Sequence, residues 1–425
     1  MFSAPRGTAD ILPHEQPHWE YVRRQIAETC RIFGYERIDL PVFEQAALYI
    51  HGTGDSTDIV RKEMYIFEDR GGEQMALRPE MTPNVARAYL QHGLFNLPQP
   101  VKLYCEGPAF RYERPQAGRY RQFVQFDIEA IGEEDPALDA EVIEHGWRLY
   151  ESLGLRGLLL QINSIGDPNC RPGYIELLRD YYRDKLDQVD RDCRERFVRN
   201  PMRLLDCKAS VCQPVIAGAP TLAQHLCDAC REHFDAVQRY LTANQIPFSI
   251  NPRLVRGLDY YTRTVFEIMP KDAGSQGTIG AGGRYDGLLE IVGGKPTPGI
   301  GYASSIERIV LNLQKQEVPV PPAPRPTVFV VYSSADGAEK TVAAQEVVQI
   351  SSALRRAGVA TQQSYGERSL KSQMRQAGRS GARYALIVGD EQSHDGTMLL
   401  RDLERRNEER LRREELLGRL TGNGH

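Results

Sequence analysis

The sequence lacks any long hydrophobic run. Its best apolar stretches are short, such as VFVVY at 328 to 332, and none nears the ~18 residues of a membrane-spanning helix. No membrane span is expected. Cysteine is sparse, with 8 in 425 residues, too few for a disulfide framework. Neither sign of charge prevails: 53 Lys and Arg stand against 57 Asp and Glu, so a nucleic-acid partner would need a local basic patch. The opening MFSAPRGTADILPHE carries Pro5, Arg6, Asp10 and Glu15 where a signal peptide needs an uninterrupted apolar stretch. The expectation is a cytoplasmic protein with reduced thiols.

The length argues for two or three domains, since single cores stop growing near about 250 to 300 residues. A hydrophobic fraction of 41% with 26% charged residues is the balance of a packed protein and excludes disorder over most of the chain. The clearest boundary is EVPVPPAPRP, where Pro319, Pro321, Pro322, Pro324 and Pro326 forbid helix and sheet ladders and favour a stiff connector. Residues 1–320 therefore form one part and 327–425 another. The second part reads strand (328–332), helix (about 335–357), short strand (359–362), helix (370–377) and two strands (385–388, 397–400), an α/β domain. Within it Arg355, Arg356, Arg368, Lys371, Arg375, Arg379 and Arg383 face only Glu367, which suits either a solvated helix face or a polyanion.

In the first part, strand-like runs around MYIFED, QMALRP, KLYCEG and FVQFDIEAI follow one another across short polar turns. A mainly antiparallel sheet flanked by helices results, hence an α+β fold. Residues from about 168 to 248 are charged and helical in pattern, a helical insertion.

Four segments could carry chemistry. In FRYERPQAGRYRQFVQFDIEAIG, Arg111, Arg114, Arg119 and Arg121 crowd a turn between two strand-like halves, as polyphosphate binding requires, although an exposed hairpin would also tolerate them. On the returning strand Gln125, Asp127 and Glu129 share one face by period two and give the sheet a polar floor. LVRGLDYYTRTVFEI sets Arg256, Asp259, Tyr260 and Tyr261 before an apolar strand, either a site or a tyrosine-rich strand start. GTIGAGGRYDGL is dense enough in glycine for a ligand to lie against backbone, or is simply a glycine-rich hairpin. The fourth segment, PGIGYASSIERIVLNL, carries Glu307 and Arg308 on an amphipathic helix.

Together with RGTADILP, Pro41 in YERIDLPVFE and RPEMT at 78 to 82, these segments resemble the ordered signature set of class II histidyl-tRNA synthetases. The likeness covers nearly the whole chain, and SLKSQMRQAGRSGARYALIVGDE is similar to that family's anticodon-binding domain. It implies a class II catalytic domain over 1–320, with its insertion at about 168–248, and an anticodon-binding domain over 327–425. It also implies activation of L-histidine with ATP and Mg2+, followed by transfer to the 3′ end of tRNA(His). By resemblance, Glu80, Thr82 and Gln125 hold the α-ammonium, while Glu129 and Tyr261, with Tyr260 beside them, read the imidazole. Arg111 resembles the arginine on the ATP α-phosphate, Arg119 and Arg308 those on the outer phosphates, and Arg256 the cation at the reacting carboxylate. Gln116 and Arg121 lie in the loop the family uses on the tRNA acceptor end, and Pro41 in the motif of its homodimer interface. Val124 and Ser305 depart from the family pattern. The first is expected to alter packing behind the floor, and the second to add a side chain near adenine.

Cys207-x4-Cys212 and Cys227-x2-Cys230 could form a four-thiolate zinc site in the insertion or be core, while Cys30, Cys105, Cys170 and Cys193 read as buried small hydrophobes. Two rivals remain. One is the synthetase-like regulatory subunit of ATP phosphoribosyltransferase, which lacks the anticodon-binding domain and several ATP-site arginines. The other is a nucleic-acid-binding module without catalysis, which would explain the basic patch but not the polar floor.

Overall fold

The computed structural model describes residues 2–421 apart from 56, 272–276, 334–337, 367 and 390–396. Ala335 at the expected helix start, Glu367 in the basic stretch and positions 390–391 of the anticodon-like motif lie outside the described residues. The backbone divides into two compact units, Met1–Pro321 and Pro322–His425. No described helix is long and apolar enough to cross a membrane.

The first unit carries β1 (Glu36–Arg37), β2 (Phe43–Gln45), β3 (Tyr65–Glu68), β4 (Gln74–Leu77), β5 (Val101–Phe110), β6 (Gln122–Ile131), β7 (Leu158–Ser164), β8 (Ser249–Ile250), β9 (Thr262–Pro270), β10 (Gly280–Arg284) and β11 (Gly299–Ser305). Eight of them make one sheet in the order β1-β5-β6-β11-β10-β9-β7-β8. Its two edge pairs are parallel and the pairs between them antiparallel, as the α+β reading requires. The runs MYIFED and QMALRP do not join it. As β3 and β4 they pair with β2 in a separate three-stranded sheet that rests on a small cluster of Ala46, Tyr49 and Ala76. Strand β3 is largely exposed, and of the two strands only Ala76 on β4 is buried.

Period two sorts β6 cleanly. Phe126, Ile128 and Ala130 face a core built with the helices Gln16–Phe33 and Pro136–Ser152, leaving Gln125, Asp127 and Glu129 on the opposite face. The first helix buries Trp19, Val22, Ile26 and Cys30 at three- and four-residue spacing and stops at Gly34, whose left-handed φ of 76° a side chain would strain. The second starts at Asp135, whose carboxylate accepts from the Ala137 N–H at 2.8 Å.

Between β7 and β8 the chain runs through the helices Arg171–Arg183, Arg191–Arg199, Gln213–Gly218 and Asp228–Ala243, with no strand among the described residues. A fully buried ion network anchors this insertion. Asp139 accepts from Arg284 Nε at 3.0 Å through one oxygen and lies 2.8 Å from His233 Nε2 through the other. The four-thiolate arrangement that the spacing of Cys207, Cys212, Cys227 and Cys230 allows is not formed. Cys207 and Cys212 gather with Asp190 and Cys193, whereas Cys227 and Cys230 gather with Asp167 and Cys170. Helical packing keeps the two pairs apart, and Cys170 and Cys193 are members of these clusters and not isolated core thiols.

The second unit forms a five-stranded sheet from β12 (Val328–Tyr332), β13 (Thr361–Gln363), β14 (Tyr384–Val388), β15 (Thr397–Asp402) and β16 (Glu408–Arg412), in the order β13-β12-β14-β15-β16. The first three are parallel, and β12 and β14 are buried on both faces, the expected α/β arrangement. Strand β16 and the helix Arg413–Thr421 escaped the sequence reading because EERLR is almost wholly charged. The helix Leu370–Ser380 turns Gln373 and Ala377 inward, which leaves Lys371, Arg375 and Arg379 as an exposed stripe at four-residue spacing.

Candidate active site

A cavity of about 1020 Å³ opens on the polar face of the main sheet in the first unit. Its lining brings together Glu80, Thr82, Arg111, Arg119, Gln125, Arg256, Tyr260, Tyr261 and Arg308, which the sequence scatters over more than two hundred positions. Glu129 lies in the floor beneath. Gln116 and Arg121 stand outside the lining, although they share the β5–β6 loop with Arg119.

One end of the cavity is anionic. Glu80 is buried and accepts from Thr53 Oγ1 at 2.6 Å and from the Tyr260 hydroxyl at 2.8 Å. Gln125 Nε2 donates to Asp127 at 2.9 Å, and the Tyr285 hydroxyl donates to Glu129 at 2.6 Å. Burial first, then the neighbouring Asp127 charge, holds the Glu129 carboxyl well above its ordinary range. Burial likewise pushes Asp127 up to about 7, with Glu80 adding to the rise and the Gln125 bond opposing it. Three buried carboxyls crowded together make a site that a cationic group would relieve.

Glycine makes this floor. A Cβ on Gly301 would fall 1.8 Å from a Glu129 oxygen, and one on Gly283 would meet the Thr264 carbonyl at 2.5 Å and the Tyr261 ring at 3.0 Å. The glycine-rich segment is thus a clearance for acidic and aromatic side chains.

The other end is cationic. Arg111 is aimed by its Nε donating to the Pro79 carbonyl at 2.8 Å and by stacking 5.4 Å over Phe123. Arg308 donates to the Gly118 carbonyl and to the Thr278 carbonyl, both at 2.9 Å, and Arg119 pairs with Glu113 at 3.0 Å. Burial and then the Arg119 and Arg111 charges depress the Arg308 pKa, the mark of a cation cluster suited to a polyanion. Arg121 anchors the loop: its N–H donates to the Gly7 carbonyl at 2.7 Å and its guanidinium stacks 3.8 Å over Tyr112. Gly7 has φ 86° and lies against the Arg121 side chain, so the N-terminal RGTADILP motif serves to fix this arginine loop.

Arg256 links the two ends. It pairs with Glu267, which also accepts from Thr278 Oγ1 at 3.0 Å, and its guanidinium lies 5.9 Å from the Tyr261 ring. The departures at Val124 and Ser305 meet at Glu307, which accepts from the Val124 N–H and from the Ser305 hydroxyl, each at 2.8 Å. Ser305 therefore closes a helix-start network and also borders the cavity. Sequence reasoning missed Tyr285 and Glu267, although both lie inside motifs it singled out. It also missed the insertion's contribution of Asp190, Arg196 and Lys208 to the cavity wall.

The burial of Asp127 makes a testable statement. At pH 5 the unfolded side chain is ionised while the native one is protonated, and by pH 8 the native state must bury the charge. Asp127→Asn removes that obligation, so its stability relative to the parent should rise between pH 5 and pH 7 by roughly 2–3 kcal/mol, fading little above that. Urea unfolding of both proteins at several pH values measures it, and parallel pH profiles would refute the assignment.

A catalytic sheet of this topology, a cavity split into acidic and arginine-rich ends, and a separate α/β unit define a class II aminoacyl-tRNA synthetase. The family model described as histidyl-tRNA synthetase matches residues 7–167 and 184–309, and that of an anticodon binding domain matches 327–423. A histidine–tRNA ligase of Dehalococcoides mccartyi is 50% identical over 403 residues, spanning 95% of both chains. One from Acetivibrio thermocellus is 43% identical across 99% of both. The apo histidyl-tRNA synthetase structure from S. aureus superposes with a TM-score of 0.82 at 35% identity, covering 99% of this chain and 100% of the other. The chain belongs to the histidyl-tRNA synthetase family.

Proposed function

We propose that the cavity activates L-histidine with ATP and then passes the histidyl group to the 3′ hydroxyl of the terminal adenosine of tRNA(His). The observation that carries this reading is the pairing of a buried acidic end with a cluster of mutually repelling arginines in one cavity. Glu80, Thr82 and Gln125 receive the α-ammonium. Glu129, oriented by Tyr285, and Tyr261, packed 4.6 Å from Tyr260, read the imidazole. Arg111 holds the α-phosphate, and Arg119 and Arg308 the outer phosphates. The histidine carboxylate attacks the α-phosphorus in line and pyrophosphate departs, so the site must neutralise converging negative charge and needs no covalent nucleophile. Arg256 serves there. Magnesium arrives with ATP and screens its phosphates; Glu113 and Glu267 nearby are already paired with Arg119 and Arg256.

Gln116 and Arg121 guide the tRNA acceptor end from the arginine loop. The exposed stripe of Lys371, Arg375 and Arg379 supports a role in holding the tRNA backbone, with Tyr365, 67% exposed, available for stacking. These substrates assign the work to the cytoplasm. The regulatory-subunit reading is less supported, because the near-half-identical relatives are ligases and the arginine cluster is complete. ATP–pyrophosphate exchange against all twenty amino acids tests the function. Exchange with histidine alone is expected; none with histidine would overturn it.

A second expectation concerns assembly. Pro41 lines a groove of about 1090 Å³ with Phe43, Met75 and Ile291, and Phe43, Ile66 and Phe67 are large apolar side chains left exposed. Arg78, donating to the Leu40 and Pro41 carbonyls, holds this segment in place. The groove supports a homodimer through this face. Sedimentation should find a dimer that Phe43→Glu converts to monomer, and a fully active monomeric parent would refute it.

A further inference from the structure

The insertion holds two clusters that the activation chemistry does not use. Asp167, Cys170, Cys227 and Cys230 form one, and Asp190, Cys193, Cys207 and Cys212 the other, each with its ligand atoms within 4.8 Å of one another. We infer that each cluster is a structural zinc site of three thiolates and one carboxylate, so that the chain carries two zinc ions in its insertion.

The distances fit that chemistry. Thiolate at roughly 2.3 Å and carboxylate at roughly 2.0 Å from a tetrahedral zinc ion set sulfur atoms ~3.8 Å apart and sulfur and oxygen ~3.5 Å apart. In the first cluster Cys170 and Cys230 sulfurs lie 3.9 Å apart, and Asp167 Oδ1 lies 3.6 Å from Cys170 and 3.9 Å from Cys227. In the second, Cys193 and Cys212 sulfurs lie 3.8 Å apart and Asp190 Oδ2 lies 3.4 Å from Cys207. Disulfide sulfurs would be roughly 2.05 Å apart, so neither cluster is a closed bridge. Thiols that merely fill a core would not converge on a carboxylate twice.

The two clusters share one plan. Each begins with Asp-x2-Cys at a helix start and is completed by a later cysteine pair. Backbone donors serve the sulfurs: Asp167 N–H reaches Cys170 at 3.4 Å, Asp190 N–H reaches Cys212 at 3.3 Å and Ala209 N–H reaches Cys207 at 3.4 Å. Such donors favour the thiolate over the thiol. The aspartate of the second cluster also divides its work. Asp190 Oδ1 caps its helix by accepting from Cys193 N–H at 2.7 Å, which leaves Oδ2 for the metal. The sites nest, one closing a span of 60 residues and the other a span of 22 within it. That is where cross-links help a small, arginine-rich helical segment most.

Position gives the ions a consequence for the active site. Asp190 and Cys207 line the cavity wall, and Arg171, next to Cys170, donates to the Tyr261 carbonyl at 2.6 Å. Zinc therefore stiffens both the wall and the segment before β9 that carries the tyrosines.

The test is metal content. Full-length protein, reduced anaerobically, equilibrated with zinc and desalted, should retain about two zinc ions per chain by mass spectrometry of the metal. Cys212→Ser and Cys230→Ser should each retain about one. Because a variant could misfold, the parent reconstituted with cobalt provides an independent reading. It should develop thiolate charge-transfer bands and the visible bands of tetrahedral cobalt, saturating at two ions. One ion or none in the folded parent, or cobalt spectra without sulfur ligation, overturns the assignment.

Discussion

Arg256→Ala is expected to slow histidine-dependent adenylate formation by at least about 10²-fold while changing the histidine KM much less. The reason lies in what its guanidinium joins. One side approaches Tyr261, which belongs to the acidic end, and the other engages Glu267, whose second oxygen accepts from Thr278. Thr278 in turn presents its carbonyl to Arg308 at the cationic end. A positive charge at that junction meets the carboxylate and the α-phosphate as they converge, and its benefit is greatest in the transition state. A merely structural role for Arg256, as the partner of Glu267, predicts something different. Removing one member of a partly buried pair strands the other, and neutralising that other should then repair the loss. The double variant Arg256→Ala with Glu267→Gln separates the two: no recovery of the single-turnover rate is expected, and recovery to near the parent rate would show that Arg256 only neutralises Glu267.

Much of this site was legible because the chemistry is written in local spacing. Period two in β6 put Gln125, Asp127 and Glu129 on one face and the apolar residues on the other, and the structure gives that division. The arginines around the β5–β6 turn are likewise local, so their approach to a common cavity follows once the two strands pair. What the sequence does not encode locally is which side chain completes a distant partner. Tyr285 reaches Glu129 only because β6 and β11 set Gly301 beside Glu129, where a side chain would clash, while β10 on the other side of β11 ends just before Tyr285.

The insertion illustrates the same limit with thiols. Pairing cysteines by proximity in sequence joined Cys207 and Cys212 to Cys227 and Cys230, whereas the folded helices draw each pair back to an earlier Asp-x2-Cys. An aspartate is a common residue, and as a ligand it carries no sequence signal comparable to CxxC. Likewise MYIFED and QMALRP have strand pattern but pair with β2 in a separate sheet, a choice of partner that periodicity alone does not encode.

Glu129→Ala should act on recognition where Arg256→Ala acts on rate, with kcat/KM for histidine falling by about 10³- to 10⁴-fold and discrimination against phenylalanine falling with it. In the parent, an apolar amino acid would leave Glu129 and Tyr285 without a ligand to satisfy them at the bottom of a buried floor, and that cost rejects it without an editing step. The cost is high here because Glu129 is 2% exposed, already shares the floor with Asp127 and has only neutral hydroxyls as close partners. A ligand imidazole N–H fits this acceptor; a phenyl ring of similar size does not. Tyr285→Phe, which removes the hydroxyl that orients the carboxylate, should give a smaller loss of about tenfold in the same direction. Arg256→Ala should leave the histidine-to-phenylalanine ratio nearly unchanged. Activation kinetics with both amino acids on the three variants decide the matter, and a ratio preserved in Glu129→Ala would move imidazole recognition to the Tyr260–Tyr261 side of the cavity.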